Sequence, residues 1–176
     1  MMVDLARGIG AATSAYHRGE QPEPRMGRQL AGATLGILGY GTIGRRLAAI
    51  AKALRMTVLV ADPHVTPEDP EIRHAPLHDV LAASDFVVCL VVATEETENL
   101  LDAAAFAAMK PGALFVNLSR GNLVDEAALR HALDHGPLAG AAMDVGRAPD
   151  QMPTPSLAAR PRVIATPHIG GLTPQA

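Results

Sequence analysis

The stretch that decides the fold is TLGILGYGTIG, residues 34–44. A short apolar run leads into the spacing GxGxxG at Gly39, Gly41 and Gly44, and a helical pattern of apolar residues follows over 43–54. In such a turn the first glycine permits a tight bend, the second lets the backbone approach a pyrophosphate, and the third lets the helix pack close to the strand. The unpaired N–H groups at the helix start attract phosphate. The predicted cofactor-binding residues of this turn are Gly39, Gly41, Thr42, Ile43 and Gly44.

An acid at the end of the next apolar run indicates which dinucleotide is bound. Residues 57–61 predict a second strand, and Asp62 follows it directly. A carboxylate there can accept hydrogen bonds from both ribose hydroxyls of an adenosine and would repel a 2′-phosphate, which favours NAD over NADP. Neither Pro63 nor His64 supplies the arginine that NADP usually needs. The alternative is that the glycines serve packing alone and that Asp62 is a solvated strand end.

The pattern along the rest of the chain predicts an α/β fold with a doubly wound parallel sheet, the NAD-binding Rossmann fold. Apolar runs alternate with helical patterns, and runs this uniformly apolar are buried on both faces, as in parallel sheets covered by helices. The predicted strands are 34–38, 57–61, a short one near 75, 86–92, 114–117, 141–143 and 163–165. The predicted helices are 43–54, a short one at 80–81, 103–109 capped by Asp102, and one capped by Asp125 that runs to 135.

The segments outside this alternation define the predicted domain boundaries. Spaced apolar residues predict one helix over 3–17, and a polar linker with prolines follows at 19–25. We therefore divide the chain into an N-terminal helix, 1–19, and a single Rossmann domain, 30–176. The proline-containing stretch 147–162 is predicted to be a loop.

Composition excludes several classes of function. The net charge of −3 gives no electrostatic reason to expect a nucleic acid or an anionic membrane as partner. No apolar run reaches the roughly 18 residues of a membrane-spanning helix, so a soluble protein is expected. The single cysteine, Cys89, is expected to be a core thiol in a cytoplasmic protein. His131 and His135 have the i, i+4 spacing of metal ligands but no third ligand, so a solvated helix face is favoured and no metal is expected.

Four further motifs, in order along the chain, resemble the D-isomer-specific 2-hydroxyacid dehydrogenases. That family includes phosphoglycerate, glyoxylate/hydroxypyruvate and formate dehydrogenases. The resemblance extends from about residue 7 to residue 176. The motifs are MKPGALFVNLSRG at 109–121, LVDE at 123–126, GAAMDV at 140–145 and TPHIGGLT at 166–173.

The resemblance implies roles for individual residues. Arg120 matches the arginine that holds the substrate's carboxylate and carbonyl, a task suited to the guanidinium fork. His168 matches the general acid/base, which protonates the alkoxide formed when a 2-keto acid is reduced. Asp144 matches an aspartate that contacts the nicotinamide carboxamide. Without the resemblance, Arg120 could be a surface arginine and His168 a turn histidine. The other residues that the resemblance places along the cofactor are Thr94, Leu118, Ser119, Gly170 and Gly171.

Two positions depart from the family pattern. The family carries a glutamate before a proline shortly after the aspartate, where it pairs with the catalytic histidine, but Ala148 stands before Pro149 here. Asp150, the predicted catalytic carboxylate, or Gln151 could substitute if the loop is shifted; in formate dehydrogenases a glutamine holds this position. The second departure is at 90–93, LVVA, where the family usually has His-x-Pro.

The resemblance also implies partners. In the family the NAD domain is inserted within a substrate-binding domain, which we expect to be absent from this chain. The chain alone is then expected to bind NADH but to turn over 2-hydroxy or 2-keto acids poorly. The first helix is expected to form a homodimer. The alternative function is that of the related C-terminal-binding corepressors, in which this fold is a non-catalytic, NAD-dependent dimerisation and partner-binding module. An S-adenosyl nucleoside site on a similar fold is disfavoured.

Overall fold

A computed structural model describes residues 1–174, in which seven parallel strands form one sheet. The order of the strands across the sheet is β3-β2-β1-β4-β5-β6-β7. The strands are β1 (Thr34–Leu38), β2 (Thr57–Ala61), β3 (Ile72–His74), β4 (Phe86–Cys89), β5 (Leu114–Asn117), β6 (Gly140–Met143) and β7 (Val163–Ala165). The predicted doubly wound parallel sheet is confirmed.

The strand order reverses beside β1. The chain passes outward from β1 through β2 to β3, and then returns to place β4 on the other side of β1. Leu38 pairs with both Ala61 and Cys89, so β1, β2 and β4 end at the same level. Open α/β sheets bind their ligands in the crevice at such a reversal, outside the carboxyl ends of the strands.

Helices cover both faces of the sheet. They are α1 (Met2–Arg7), α2 (Ile9–His17), α3 (Thr42–Ala53), α4 (Leu77–Ala83), α5 (Ala103–Ala107), α6 (Glu126–Asp134) and α7 (Pro155–Ala158). The core under α4, α5 and α6 includes Phe106 and Phe115, whose rings meet edge to face at 5.4 Å. The core under α1 and α3 contains Ala48 and Ala51, whose small side chains let α3 lie close to the sheet.

Both predicted helix caps are confirmed. The Asp102 carboxylate accepts a hydrogen bond from the Ala105 N–H at 2.8 Å and starts α5. The Asp125 carboxylate accepts from the N–H groups of Ala127 and Ala128 and starts α6. Each aspartate satisfies backbone donors that have no partner within the helix.

The single helix predicted over 3–17 is wrong, because Gly8 divides it into α1 and α2. Gly8 has a φ of 65°, and its N–H donates to the Asp4 carbonyl at the end of α1. This left-handed conformation commonly ends helices at glycine, which has no Cβ to clash. The apolar spacing of the segment continues across the break, which is why it suggested one helix.

Two other segments differ in kind from the prediction, while the remaining helix and strand ends lie within about three residues of the predicted positions. The strand predicted over 86–92 ends at Cys89, and Val92 is 76% exposed. Just beyond Cys89 the chain packs against the Gly39 turn; a Cβ on Gly39 would lie 2.7 Å from the Leu90 carbonyl oxygen. The loop predicted over 147–162 contains the short helix α7, which begins with Pro155, a residue suited to the first helical position.

None of the helices in the described part of the chain has the length and apolar character that a bilayer crossing requires. The predicted domain over 30–176 extends two positions further than the structure, since residues 175 and 176 lie outside the described residues.

Candidate active site

The predicted glycine turn joins β1 to α3, and its three glycines have different surroundings. Gly39 has a φ of 93°, and a Cβ on Gly44 would overlap the Gly39 carbonyl oxygen. Folding alone therefore explains these two glycines. A Cβ on Gly41 would meet no atom within 4 Å, so packing does not require glycine there. The open space beside Gly41 fits a group that approaches the backbone closely, as a pyrophosphate does.

The start of α3 faces the same open space. No side chain caps this helix, whose N-cap residue is Gly41. The first N–H groups of a helix have no intrahelical acceptor, and they attract an anion. Thr42 and Ile43 are both exposed beside them, Ile43 at 65%. The residues of the turn therefore fit a dinucleotide pyrophosphate.

Asp62 lies next to the glycine turn, as predicted, and its carboxylate already accepts three backbone hydrogen bonds. One oxygen accepts from the Tyr40 N–H at 2.7 Å, and the other accepts from the N–H groups of His64 and Val65. Burial opposes ionisation, but the three donors outweigh it and lower the pKa of Asp62 below its ordinary value. A carboxylate has about four acceptor positions, so about one is left for a ribose hydroxyl.

The end of β5 carries Leu118 and Ser119, and a buried amide links Ser119 to Arg120. Leu118 is 41% exposed, while the Ser119 hydroxyl donates to the Val91 carbonyl at 2.5 Å. The side chain of Asn117, which is fully buried, donates to the Arg120 carbonyl at 2.9 Å and accepts from the Ser119 N–H at 3.0 Å. Sequence reasoning did not single out Asn117. The signal was a polar amide at the end of a buried apolar strand, where it must find partners.

Thr94 lies in the loop after β4, at the start of a short 3₁₀ turn, Glu95–Thr97. Its N–H donates to the Thr97 hydroxyl at 2.8 Å, and the residue is exposed. Because Thr94 follows β4 and the glycine turn follows β1, both lie at the carboxyl ends of the parallel strands.

Arg120 lines a cavity of about 400 Å³ at the carboxyl edge of the sheet. Its guanidinium donates to the Ser119 carbonyl at 2.8 Å. Gln151 lines the same cavity and has a φ of 63°. Asp150 does not line it; its carboxylate accepts a hydrogen bond from the Met152 N–H at 3.1 Å in an exposed turn. Of the two polar residues considered as replacements for the family's acid, Gln151 is the one that the loop places beside Arg120.

Asp144 holds the turn that carries His168. One oxygen of Asp144 accepts from the Thr166 hydroxyl and from the Ile169 N–H at 3.0 Å, and the other accepts from the Gly170 N–H at 2.8 Å. Asp144 is only 4% exposed. His168 has a φ of 53°, an uncommon conformation for a residue with a side chain. The hydrogen bonds to the Asp144 carboxylate thus stabilise a turn in which His168 has an unfavourable backbone conformation.

The close fit of this turn explains one of its glycines and the ionisation of Asp144. A Cβ on Gly170 would lie 2.8 Å from an Asp144 oxygen, whereas a Cβ on Gly171 would meet nothing within 4 Å. Burial opposes ionisation of Asp144, but the hydrogen bonds from Thr166 and the turn, together with the nearby His168, lower the pKa of Asp144 below its ordinary value.

The site residues therefore form local groups along one sheet edge. Gly39 to Gly44 follow β1 and lie beside Asp62. Arg120 follows β5 and shares a cavity with Gln151. Asp144 follows β6 and holds the His168 turn. His168 does not itself line the cavity at Arg120.

The remaining chemical candidates do not form sites in the described residues. Cys89 is fully buried, and burial raises the pKa of its thiol to about 11, so it is no nucleophile. The rings of His131 and His135 meet edge to face at 5.2 Å. Across residues 1–174 no group of three or more His, Cys, Asp or Glu side chains could hold a metal ion.

Comparison with known proteins shows the class of this domain. Residues 1–170 match the model of the D-isomer specific 2-hydroxyacid dehydrogenase NAD-binding domain. The chain is 40% identical to the D-3-phosphoglycerate dehydrogenase of Bacillus subtilis over 86% of its length. It superposes on a glyoxylate reductase from Paecilomyes thermophila with a TM-score of 0.91 at 32% identity, covering 99% of this chain. It superposes on a D-lactate dehydrogenase from Aquifex aeolicus, solved with NAD and lactic acid, with a TM-score of 0.88 at 27% identity, also covering 99% of this chain.

The chain belongs to the D-isomer-specific 2-hydroxyacid dehydrogenase family and is its NAD-binding domain. The chain spans 29% of the Bacillus relative, 54% of the glyoxylate reductase and 58% of the lactate dehydrogenase. All three of these proteins bear the names of oxidoreductases, which gives no support to the corepressor alternative.

Proposed function

We propose that this domain takes part in hydride transfer between NAD(H) and a D-2-hydroxy acid or its 2-keto acid, of the phosphoglycerate, glyoxylate or hydroxypyruvate type. The observation that carries the proposal is the arrangement at the carboxyl edge. The end of β1 presents an open glycine cradle, the end of β5 an arginine-lined cavity, and the end of β7 a histidine turn held by the buried Asp144 carboxylate that follows β6. Separate structural needs would not place these three groups along one edge.

The residues would divide the work as follows. Gly41 and the start of α3 would hold the pyrophosphate, and Asp62 would accept a hydrogen bond from the adenosine ribose. When bound, NAD supplies the acceptor or donor of the hydride. Arg120 would turn from the Ser119 carbonyl to hold the substrate's carboxylate and polarise its carbonyl. His168 would move the proton between the 2-hydroxyl and solvent.

Gln151 would assist in place of the carboxylate expected at Asp150. It lines the cavity at Arg120, whereas the Asp150 side chain is engaged in its own turn. A neutral amide can donate or accept a hydrogen bond in this cavity, but it supplies no negative charge as a carboxylate would.

The assembly is proposed on separate grounds. Val3, Ile9 and Tyr16 are at least half exposed on α1 and α2, an apolar surface that a second copy would cover. We propose a homodimer in the cytoplasm, formed through residues 1–19, and a substrate-binding domain that completes the cleft over 30–176. A monomer mass in light scattering of the chain would contradict the dimer.

Ligand binding tests the proposed function without requiring turnover. The probe is oxamate, an unreactive mimic of a 2-keto acid, titrated by calorimetry into the chain with and without NADH. We expect oxamate to bind the NADH complex, and Arg120→Lys to weaken oxamate while leaving NADH affinity unchanged, because Lys lacks the guanidinium fork. Failure of NADH to bind, or an oxamate affinity that is the same in the Arg120→Lys variant and the parent, would overturn the proposal.

A further inference from the structure

The cavity at Arg120 contains a second arginine that the proposed reaction does not use. Arg120 and Arg147 both line it, and no acidic side chain does. The other residues of its wall are Ala93, Gly121, Asn122, Gly146 and Gln151. The wall therefore carries two guanidinium groups around a cavity of about 400 Å³.

Arg147 is held rigidly by acceptors from two neighbouring segments. Its Nε donates to the Val124 carbonyl at 2.9 Å. Its Nη2 has three acceptors within hydrogen-bond distance, which share its two hydrogens: the Asn122 carbonyl at 2.9 Å, the Asn99 side-chain oxygen at 2.5 Å and Glu98 at 2.8 Å. Among residues 1–174 its remaining nitrogen, Nη1, makes no hydrogen bond. A guanidinium fixed in this way loses little freedom when it binds a ligand, and one nitrogen is left to do so.

The ion pair with Glu98 engages a different nitrogen of the guanidinium from the one left free. Glu98 accepts from Nη2, does not line the wall and is 42% exposed at its side chain, so solvent screens part of its charge. The Arg147 hydrogen bond lowers the pKa of Glu98 below its ordinary value, so Glu98 is ionised at neutral pH and keeps Arg147 oriented.

We propose that Arg147 is a second anion-binding residue of the substrate cavity, so that the substrate is a 2-keto or 2-hydroxy acid with another anionic group at its far end. The inference rests on the proposed function. Arg120 takes the carboxylate next to the reacting carbon, and Nη1 of Arg147 takes the distal group. Selection works by charge, because an uncharged distal group would leave Nη1 of Arg147 without an acceptor.

A matched pair of ligands tests this selection. N-oxalylglycine is oxamate extended by a carboxymethyl group, and N-ethyloxamate is of similar size without the second charge. Each is titrated into the NADH complex of the whole chain. We expect N-oxalylglycine to bind roughly three- to fivefold more tightly, the range of one partly exposed ion pair. Equal affinity of the two, including no binding of either, would overturn the inference.

Two substitutions distinguish anion binding by Arg147 from a purely structural role of its hydrogen bonds. Arg147→Gln and Arg147→Lys both break the set of four hydrogen bonds, but only Arg147→Lys keeps a positive charge. If Arg147 recognises an anion, the glutamine variant loses the preference for N-oxalylglycine and the lysine variant keeps most of it. If the role of Arg147 is only structural, both substitutions would change the affinities for the two ligands by the same factor. An unchanged ratio of the two affinities would refute the inference.

The control is Arg130→Gln, which removes an arginine paired with Glu126 on α6 and absent from the cavity wall. Its ligand preference should match that of the unmodified chain. NADH affinity, measured in each titration, separates failure of the proposed function from failure of this inference. Absence of NADH binding by the unmodified chain refutes the proposed function and this inference with it. Intact NADH and oxamate binding without charge selection refutes this inference alone.

Discussion

The residues at the carboxyl ends of the strands differ in whether contacts within the fold account for them. Gly39 and Gly44 are required by the backbone around them, whereas Gly41 faces open space. Asp62 and Asp144 are both ionised acceptors of backbone N–H groups, so each combines a folding role with a place in the site. Asn117 joins Ser119 to Arg120 in the same manner.

The glycines give a test at the residue scale. Gly41→Ala should leave the free energy of unfolding within about 0.5 kcal/mol of the parent, since its Cβ meets no atom. The same variant should bind NADH at least about tenfold more weakly, because the methyl group would occupy the pyrophosphate's approach. Gly44→Ala should instead cost about 1–3 kcal/mol of stability through overpacking against Gly39. Urea unfolding and NADH titration measure the two effects. A Gly41→Ala variant with parental NADH affinity would show that the cofactor lies elsewhere.

Asp144 gives a test by pH. Its pKa is lower in the folded chain than in the unfolded chain, so its ionisation stabilises the fold above the ordinary carboxylate pKa of about 4. That contribution is lost as pH falls from there through the lowered folded-state pKa. Asp144→Asn should therefore lower stability at pH 7 by about 2 kcal/mol, since a charged acceptor of three hydrogen bonds is replaced by a neutral one.

The same variant should lose less stability than the parent between about pH 4 and the lowered pKa of Asp144. Urea midpoints measured at several pH values would show the difference. Parallel curves for parent and variant would contradict the assignment. Asp79→Asn, which changes an exposed carboxylate of α4, is the control.

At the scale of elements, the position of each predicted strand and helix followed from its apolar run and its cap. The strands β1, β2, β5 and β7 and the caps at Asp102 and Asp125 needed only local sequence. The break at Gly8 and the early end of β4 were missed. The first involves a glycine's left-handed backbone, and the second lies where the chain packs against the distant Gly39 turn. Such contacts between distant segments leave little mark on local periodicity.

The cap of α6 gives a test at this scale. Asp125→Ala removes the acceptor of two N–H groups and should cost about 1 kcal/mol of unfolding free energy. Asp102→Ala, which removes a single such bond from the shorter α5, should cost less. Urea unfolding measures both. A larger loss at Asp102 than at Asp125 would show that the caps are not what starts these helices.

For the whole molecule, motifs named the residues of the candidate site but could not give their geometry. The glycine turn, Asp62, Arg120, Asp144 and His168 are candidates that came from motifs. The sequence left open whether Asp150 or Gln151 enters the cavity, because that depends on the shape of the loop after β6. It also hid Arg147, whose proposed role depends on segments around Glu98 and Val124 that are far away along the chain.

Competitive titration of the chain with NADH and NADPH, followed by the fluorescence of the bound nicotinamide, tests the central claim most directly. We expect saturable binding of NADH and binding of NADPH at least about tenfold weaker, a difference of about 1.4 kcal/mol. The reason is the ionised Asp62 beside the glycine turn, which would repel a 2′-phosphate. Absence of NADH binding, or equal binding of the two cofactors, would contradict it.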